Sequence, residues 1–188
     1  MKKLLLLASF TFLSMLATRA QTQFGIRGGL NLSNIAGDAM GNALRSDIHL
    51  GVLLKMKLVK SLYWLPEVQY SAQGAQSPNK VIKAYYNYLN IPVMLRFYPN
   101  DKVIFLEAGP QLGLLLSAKV SNISNTVSVK KEVRKEDFAL NVGLGARFNS
   151  HIELDVRGIF GMSNTSLLPN PPGKYPNRVF QVSLQANL

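Results

Sequence analysis

His151-Ile152-Glu153-Leu154-Asp155-Val156-Arg157-Gly158-Ile159-Phe160-Gly161-Met162-Ser163 alternates apolar and polar residues with a period of two. Ile152, Leu154, Val156, Phe160 and Met162 point one way; His151, Glu153, Asp155, Arg157 and Ser163 point the other. That is a β-strand with one apolar face and one charged face. About ten such residues, tilted, are enough to cross a bilayer. The fold turns on whether the apolar face looks into a core or out into lipid.

Seven further segments carry the same alternation: residues 23–32, 48–58, 63–71, 86–98, 103–117, 137–148 and 178–188. The connections alternate in length. Residues 33–47, 72–85, 118–136 and 164–177 are long and polar, whereas 59–62, 99–102 and 149–150 are short turns. Long and short connections in turn predict an all-β chain: an eight-stranded antiparallel up-and-down transmembrane barrel. Both termini then share the end with the short turns, which places them in the periplasm. Beyond the N-terminus no apolar run reaches the length of a helical span.

Residues 1–20 read as a secretory signal peptide. Lys2 and Lys3 give a basic start, residues 4–16 an apolar stretch, and Thr18 and Ala20 small residues before a cleavage site ahead of Gln21. Residues 21–188 remain as one barrel domain. The chain has no cysteine, so disulfides, thiol chemistry and thiolate metal sites are excluded. The net charge is +11, from 21 basic and 10 acidic residues; losing Lys2, Lys3 and Arg19 leaves 18 basic residues, or +8. An exported chain is not expected to meet nucleic acid. Its anionic neighbours are expected to be outer-membrane lipid and lipopolysaccharide.

Side-chain volume decides which face is outward. The apolar faces include Phe24, Ile26, Leu30, Ile48, Leu50, Val52, Leu54, Met56, Leu58, Leu106, Leu112, Phe138, Leu140, Val142, Phe180 and Leu184 among many more. An eight-stranded barrel encloses only a modest set of side chains, so these residues would overfill it. A soluble periplasmic ligand-binding barrel, apolar inside, is disfavoured on that ground. The opposite face carries Gly25, Gly29, Gly51, Gly109, Gly113, Gly143, Gly145 and Gly161. The space they leave suits Arg27, Lys55, Lys57, Arg96, Arg147 and Arg157, with Glu67, Glu107, Glu153 and Asp155 opposite in sign. Buried charges must be paired or hydrated, and this composition predicts a structural ion network in the lumen. Phe24, Trp64, Phe97 and Phe148 are placed as an aromatic girdle at the turn end, and Tyr70, Phe138, Phe160 and Phe180 as one at the loop end. Pro66, Pro92 and Pro110 fall inside predicted strands, where bulges are expected.

In order along the chain, Phe24-Gly25-Ile26-Arg27-Gly28-Gly29-Leu30-Asn31-Leu32-Ser33-Asn34, Leu65-Pro66-Glu67-Val68-Gln69-Tyr70-Ser71, Tyr88-Leu89-Asn90-Ile91-Pro92, Leu106-Glu107-Ala108-Gly109-Pro110, Gly143-Leu144-Gly145-Ala146 and Asn177-Arg178-Val179-Phe180-Gln181 resemble the PorT-like outer-membrane β-barrel family of Bacteroidetes. The resemblance spans essentially the whole mature chain. It implies the barrel architecture and an outer-membrane location. Its namesake is implicated in type IX secretion, which implies an envelope or secretion-system partner. It brings no catalytic motif. Leu188 departs from the aromatic residue that often ends outer-membrane barrels.

No catalytic, cofactor or metal site is expected. His49 and His151 are placed at opposite ends of the barrel, His49 as an isolated rim residue. Glu153 and Asp155 share a face, yet interleaved arginines point to ion pairing rather than acid–base work. Gly143-Leu144-Gly145 lies in a strand with no following helix, so it is not a phosphate loop. Lys130, Lys131, Arg134 and Lys135 form the densest basic cluster, interrupted by Glu132 and Glu136, and could contact lipopolysaccharide phosphates. The expected role is non-enzymatic, structural or accessory to envelope transport. The alternative, a barrel enzyme modifying lipid A, would need His49 with Ser46 and Asp47 at the outer rim.

Overall fold

A computed structural model describes residues 22–35, 43–79, 81–99, 103–165 and 175–188. The expected signal peptide, residues 1–20, and the proline-rich stretch 169–173 lie outside the described residues. Nine strands follow one another: β1 (Thr22–Ile35), β2 (Arg45–Val59), β3 (Leu62–Gln76), β4 (Lys83–Phe97), β5 (Ile104–Ser121), β6 (Thr126–Ser128), β7 (Glu136–Arg147), β8 (Ile152–Gly161) and β9 (Asn177–Asn187). Sequential antiparallel pairing, together with the β4–β5 and β1–β9 pairings, closes eight of them into an up-and-down barrel. The additional strand, β6, is a short hairpin partner of the loop end of β5. The segment expected as a plain loop over 118–136 thus begins as an extension of the sheet.

The period of two holds around the barrel. Along β8, Glu153, Asp155, Arg157 and Ile159 are buried while Leu154 and Phe160 are exposed. Phe24, Ile26 and Leu30 of β1, Ile48, Leu50, Val52 and Leu54 of β2, and Phe138, Leu140 and Val142 of β7 are exposed in the same way. The large apolar side chains therefore form an outward band suited to lipid, and the polar ones fill the interior. Met56 departs from this: it is buried, cross-strand from Trp64, next to a register shift between Lys57 and Val59.

The prolines are accommodated without the expected bulges. The β3–β4 register is unbroken past Pro66, as is β5–β7 past Pro110, where Pro110 faces Leu140. Pairing resumes in the same register on either side of Pro92. The register shift in β4–β5 lies instead at Asn87/Tyr88. Pro66 pairs with Val93, and the same register arithmetic puts Val93 of β4 level with Pro110 of β5. The missing amide donors thus gather where the ladder is interrupted on both sides of β4. Gly109 lets the strands approach there: a Cβ would overlap the Val93 carbonyl oxygen and stand 2.9 Å from Met94 Cα.

Candidate functional site: the lumen and its two mouths

The interior is layered along the barrel axis. Its middle is an ion network contributed by β1, β2, β3, β4, β5 and β8, whose inward positions parity dictates. Arg157, fully buried, donates to Glu67 through both terminal nitrogens at 2.8 and 2.7 Å, and through Nε to Glu107. This two-pronged geometry is the strong form of the interaction. Arg96 donates through Nε to Glu107 at 2.9 Å and through its terminal nitrogens to Glu153 and, at 3.1 Å, Gln185. Arg27 reaches Asp155 and, at 2.8 Å, the Ser183 hydroxyl. Lys55 binds Glu153 and, at 2.9 Å, the Tyr98 hydroxyl, which itself donates to Glu153 at 2.8 Å. Four cations thus face four carboxylates, all buried. At this level β7 brings glycine: a Cβ on Gly143 would stand 2.9 Å from Arg157 Cγ and 3.1 Å from the Glu107 carboxylate.

Lys57 and Arg147 stand apart from this set. Lys57 is half-buried and lines the turn-end mouth. Arg147 retains 29% of its side-chain surface, with Nε 3.3 Å from Glu153 and its guanidinium 4.1 Å above the Tyr98 ring.

Toward the loop end, His49 overturns its sequence reading. It is a buried lumen residue, not a rim residue. Asn31 Nδ2 donates to Ser71 and to the Ala72 carbonyl, leaving Asn31 Oδ1 to accept from His49 Nδ1 at 2.9 Å. His49 Nε2 then accepts from the Ser183 hydroxyl at 3.0 Å. Ser–His–Asn in this order is the connectivity of nucleophile, base and orienting group. Here Ser183 is 1% exposed and holds Arg27, so the hydroxyl has no surface on which to meet a substrate. Ser46 and Asp47 do not join His49; Asp47 pairs with Arg45 at 2.6 Å. Parity could have placed His49 inward, since it shares the face of Gly51, Leu53 and Lys55. His151 is exposed at the turn end beside Ser150.

The loop mouth is stoppered by an apolar cluster of Ala84, Tyr86, Tyr88, Leu115, Ala118 and Val133. Val133 belongs to the segment between β6 and β7, so the basic cluster is anchored on its own apolar plug. Lys130, Lys131, Arg134 and Lys135 are all exposed around it. Backbone bonds from Arg134 to the Thr165 carbonyl at 2.9 Å and from Leu115 to the Lys135 carbonyl at 2.7 Å fix the segment in place. Among the described residues, no group of three or more His, Asp or Glu side chains is arranged to hold a metal ion.

A model of the outer membrane protein beta-barrel domain matches residues 18–167. The chain belongs to the outer membrane protein beta-barrel domain family. Its location is accordingly the outer membrane. The fold of this family member is similar to that of Ail, the attachment invasion locus protein of Yersinia pestis, with TM-score 0.53, 16% identity, and 88% of this chain and 98% of that one covered. Neisserial surface protein A aligns with TM-score 0.59 and 9% identity over 88% of this chain and 97% of that one. A structure of Ail in complex with the heparin analogue sucrose octasulfate aligns with TM-score 0.51 and 13% identity, over 90% and 99%. At these identities the likeness is one of fold. No curated protein matches the sequence.

Proposed function

We propose that this barrel is a non-enzymatic outer-membrane protein, structural or accessory to envelope transport or secretion, as its resemblance to PorT-like barrels implies. The observation that carries this reading is the filled lumen: four buried cations matched to four carboxylates between an apolar stopper and the packed rings of Tyr63, Tyr98 and Phe105. Such an interior leaves solute passage and catalysis without room, and work falls to the ends and loops. Both termini face the periplasm in this reading, and the loop end faces outward. Lys130, Lys131, Arg134 and Lys135 then meet lipopolysaccharide phosphates, an arrangement supported by their exposure on an anchored segment. Ail, a barrel of similar fold, has been captured with a polyanion, sucrose octasulfate.

Planar-bilayer recording tests the filled lumen. Absence of stable open-channel current is expected; conductance at porin-like values would overturn the reading. Crosslinking in outer membranes followed by affinity capture tests the accessory role: a reproducible envelope or secretion-system partner is expected, and recovery of the barrel alone would favour a purely structural role.

A further inference from the structure

Among the described residues, Arg178 stands on the outer wall with no carboxylate in ion-pair reach. Alternation along β9 buries Asn177 and Val179 and turns Arg178 and Phe180 outward. The ladder sets Arg178 level with Phe160 of β8 on one side and with Asn34 of β1 on the other. Its guanidinium lies over the Phe160 ring, 5.3 Å from the centroid. That ring is folded down against the wall: a Cβ on Gly158 would stand 3.0 Å from its Cε2. Glycine at 158 thus lets the ring pack flat, and the ring in turn carries the guanidinium. Among the described residues of β7, β8, β9 and β1, the outward carboxylate is Glu136. Leu140 of β7 is level with Phe160, and Glu136 lies four positions nearer the loops, about 13 Å away along the strand. On the other side of the Arg178 row, toward the middle of the barrel, the wall is apolar. Phe180 there pairs with Leu32 and Gly158, and Val182 with Leu30 and Val156.

We infer that this wall binds a phosphorylated glycolipid of the lipid A class, with a phosphate on Arg178 and acyl chains along Phe160, Phe180 and Leu32. The inference rests on the reading in which the loop end faces outward, because that reading sets Arg178 in the outer leaflet. A guanidinium takes a phosphate through two parallel N–H···O bonds. At the edge of a hydrocarbon layer an unpaired cation gains most from such a partner, since its alternative is to face apolar surroundings. Asn34 favours a glycolipid over a phospholipid. Its Oδ1 has no hydrogen-bond partner. The amide turns about a broad terminal torsion, and its oxygen calls for a donor. The sugar hydroxyls and acyl-amide N–H groups beside a lipid A phosphate supply one; the diacylglycerol of phosphatidic acid does not. The loop cluster of Lys130, Lys131, Arg134 and Lys135 is a separate feature, since it lies on the segment between β6 and β7 and not on the wall.

The full-length protein, folded in maltoside micelles, is titrated separately with bisphosphorylated lipid A, dephosphorylated lipid A and phosphatidic acid, and bound lipid is counted by native mass spectrometry. Saturable binding of lipid A is expected, about tenfold tighter than that of either comparison lipid. Arg178→Gln should weaken lipid A about tenfold, the loss of one charge-assisted contact, and leave the dephosphorylated lipid unaffected. Arg178→Lys should recover part of that loss. Asn34→Ala should weaken lipid A and leave phosphatidic acid unaffected. Should Arg178→Gln lose heat-modifiable migration, Asn34→Ala decides. The Arg178→Gln effect should persist in a Lys130→Gln/Lys131→Gln background; loss of binding confined to the loop variant would overturn the wall site and leave the loop contact standing. The chain has no cysteine, so Lys131→Cys labelled on whole cells with a membrane-impermeant maleimide checks separately that the loop end faces outward. No saturable binding of lipid A, equal affinity in wild type and Arg178→Gln, or equal binding of lipid A and either comparison lipid would overturn the inference.

Discussion

Arg157→Gln removes a side chain that bridges three strands at the centre of the lumen, β8 to β3 and β5. Glu107 would keep Arg96 at 2.9 Å, but Glu67 would be left with Arg27, whose nearest nitrogen is 3.8 Å away. Both carboxylates are almost wholly buried, at 2% and 3% exposure. Breaking a buried pair by removing one partner costs about 3–5 kcal/mol, and the surviving Arg96 contact puts the expected loss near the lower figure. Glu67→Gln is milder, because Arg157 keeps Glu107; losing charge-assisted bonds there costs about 1.5–3 kcal/mol. In the double variant Glu67→Gln/Arg157→Gln the two amides replace a matched pair of charges, so its loss should fall short of the sum of the singles by about 2 kcal/mol. Guanidinium unfolding of the protein folded in micelles measures all four states. The single tryptophan, Trp64 on β3, reports the transition. A loss below about 1 kcal/mol for Arg157→Gln, or additivity within about 0.5 kcal/mol, would refute the argument that this network holds the barrel's interior together.

Leu54→Arg and Val142→Arg place a charge on the outward band, where both residues are exposed, at about 2–4 kcal/mol near the midplane; reduced heat-modifiable folding in lipid vesicles is expected, and unchanged folding of both would count against the outward orientation. Gly109→Ala brings a Cβ onto the Val93 carbonyl and should slow or prevent β4–β5 closure, read as a smaller folded fraction on cold gel electrophoresis; a wild-type folded fraction would show that the strands can separate there at little cost. Replacing Lys130, Lys131, Arg134 and Lys135 together by Gln should weaken capture of soluble lipopolysaccharide by about 1 kcal/mol per charge, with a flatter salt dependence; unaltered capture would remove this cluster as the contact.

Parity was legible and depth was not. In a closed barrel the two faces meet lipid and a narrow lumen, so alternation in the sequence maps directly onto exposure, and Arg27, Lys55, Glu67, Arg96, Glu107, Glu153, Asp155 and Arg157 could be assigned inward residue by residue. How far each sits along the axis depends on strand tilt and stagger, which a period of two does not encode. Lys55 and Lys57 share a face, yet one joins Glu153 and the other lines the mouth. The same blindness put His49 at a rim. Three-residue β6 is too short and too polar to display any period; it pairs with β5 over the stretch that β4 also carries to Ser121, past the boundary expected at residue 117. The prolines misled for a different reason: each was weighed as a lone defect in a ladder, whereas Pro66 and Pro110 lie level with Val93 across neighbouring strands and share one interruption.

Why the lumen is filled with ions rather than grease follows from register. A strand slipped by one residue turns its whole inward face outward. If the interior were apolar, a slipped strand would present apolar groups to lipid as well as the correct one does, and lipid would exact no penalty. With Glu153, Asp155 and Arg157 on the inward face of β8, the same slip exposes three charges to the hydrocarbon, at about 2–4 kcal/mol for a midplane arginine alone and less for the carboxylates. The network then gains its value from excluding misregistered barrels as much as from the strength of its pairs, since a buried pair by itself is often no more stabilising than a hydrophobic one. Glycine on β7 is the complement of this device: Gly143 leaves the volume that Arg157 and Glu107 occupy, so at the centre β7 takes its place in the closed sheet by fitting the network, and its Arg147 reaches Glu153 from the turn end.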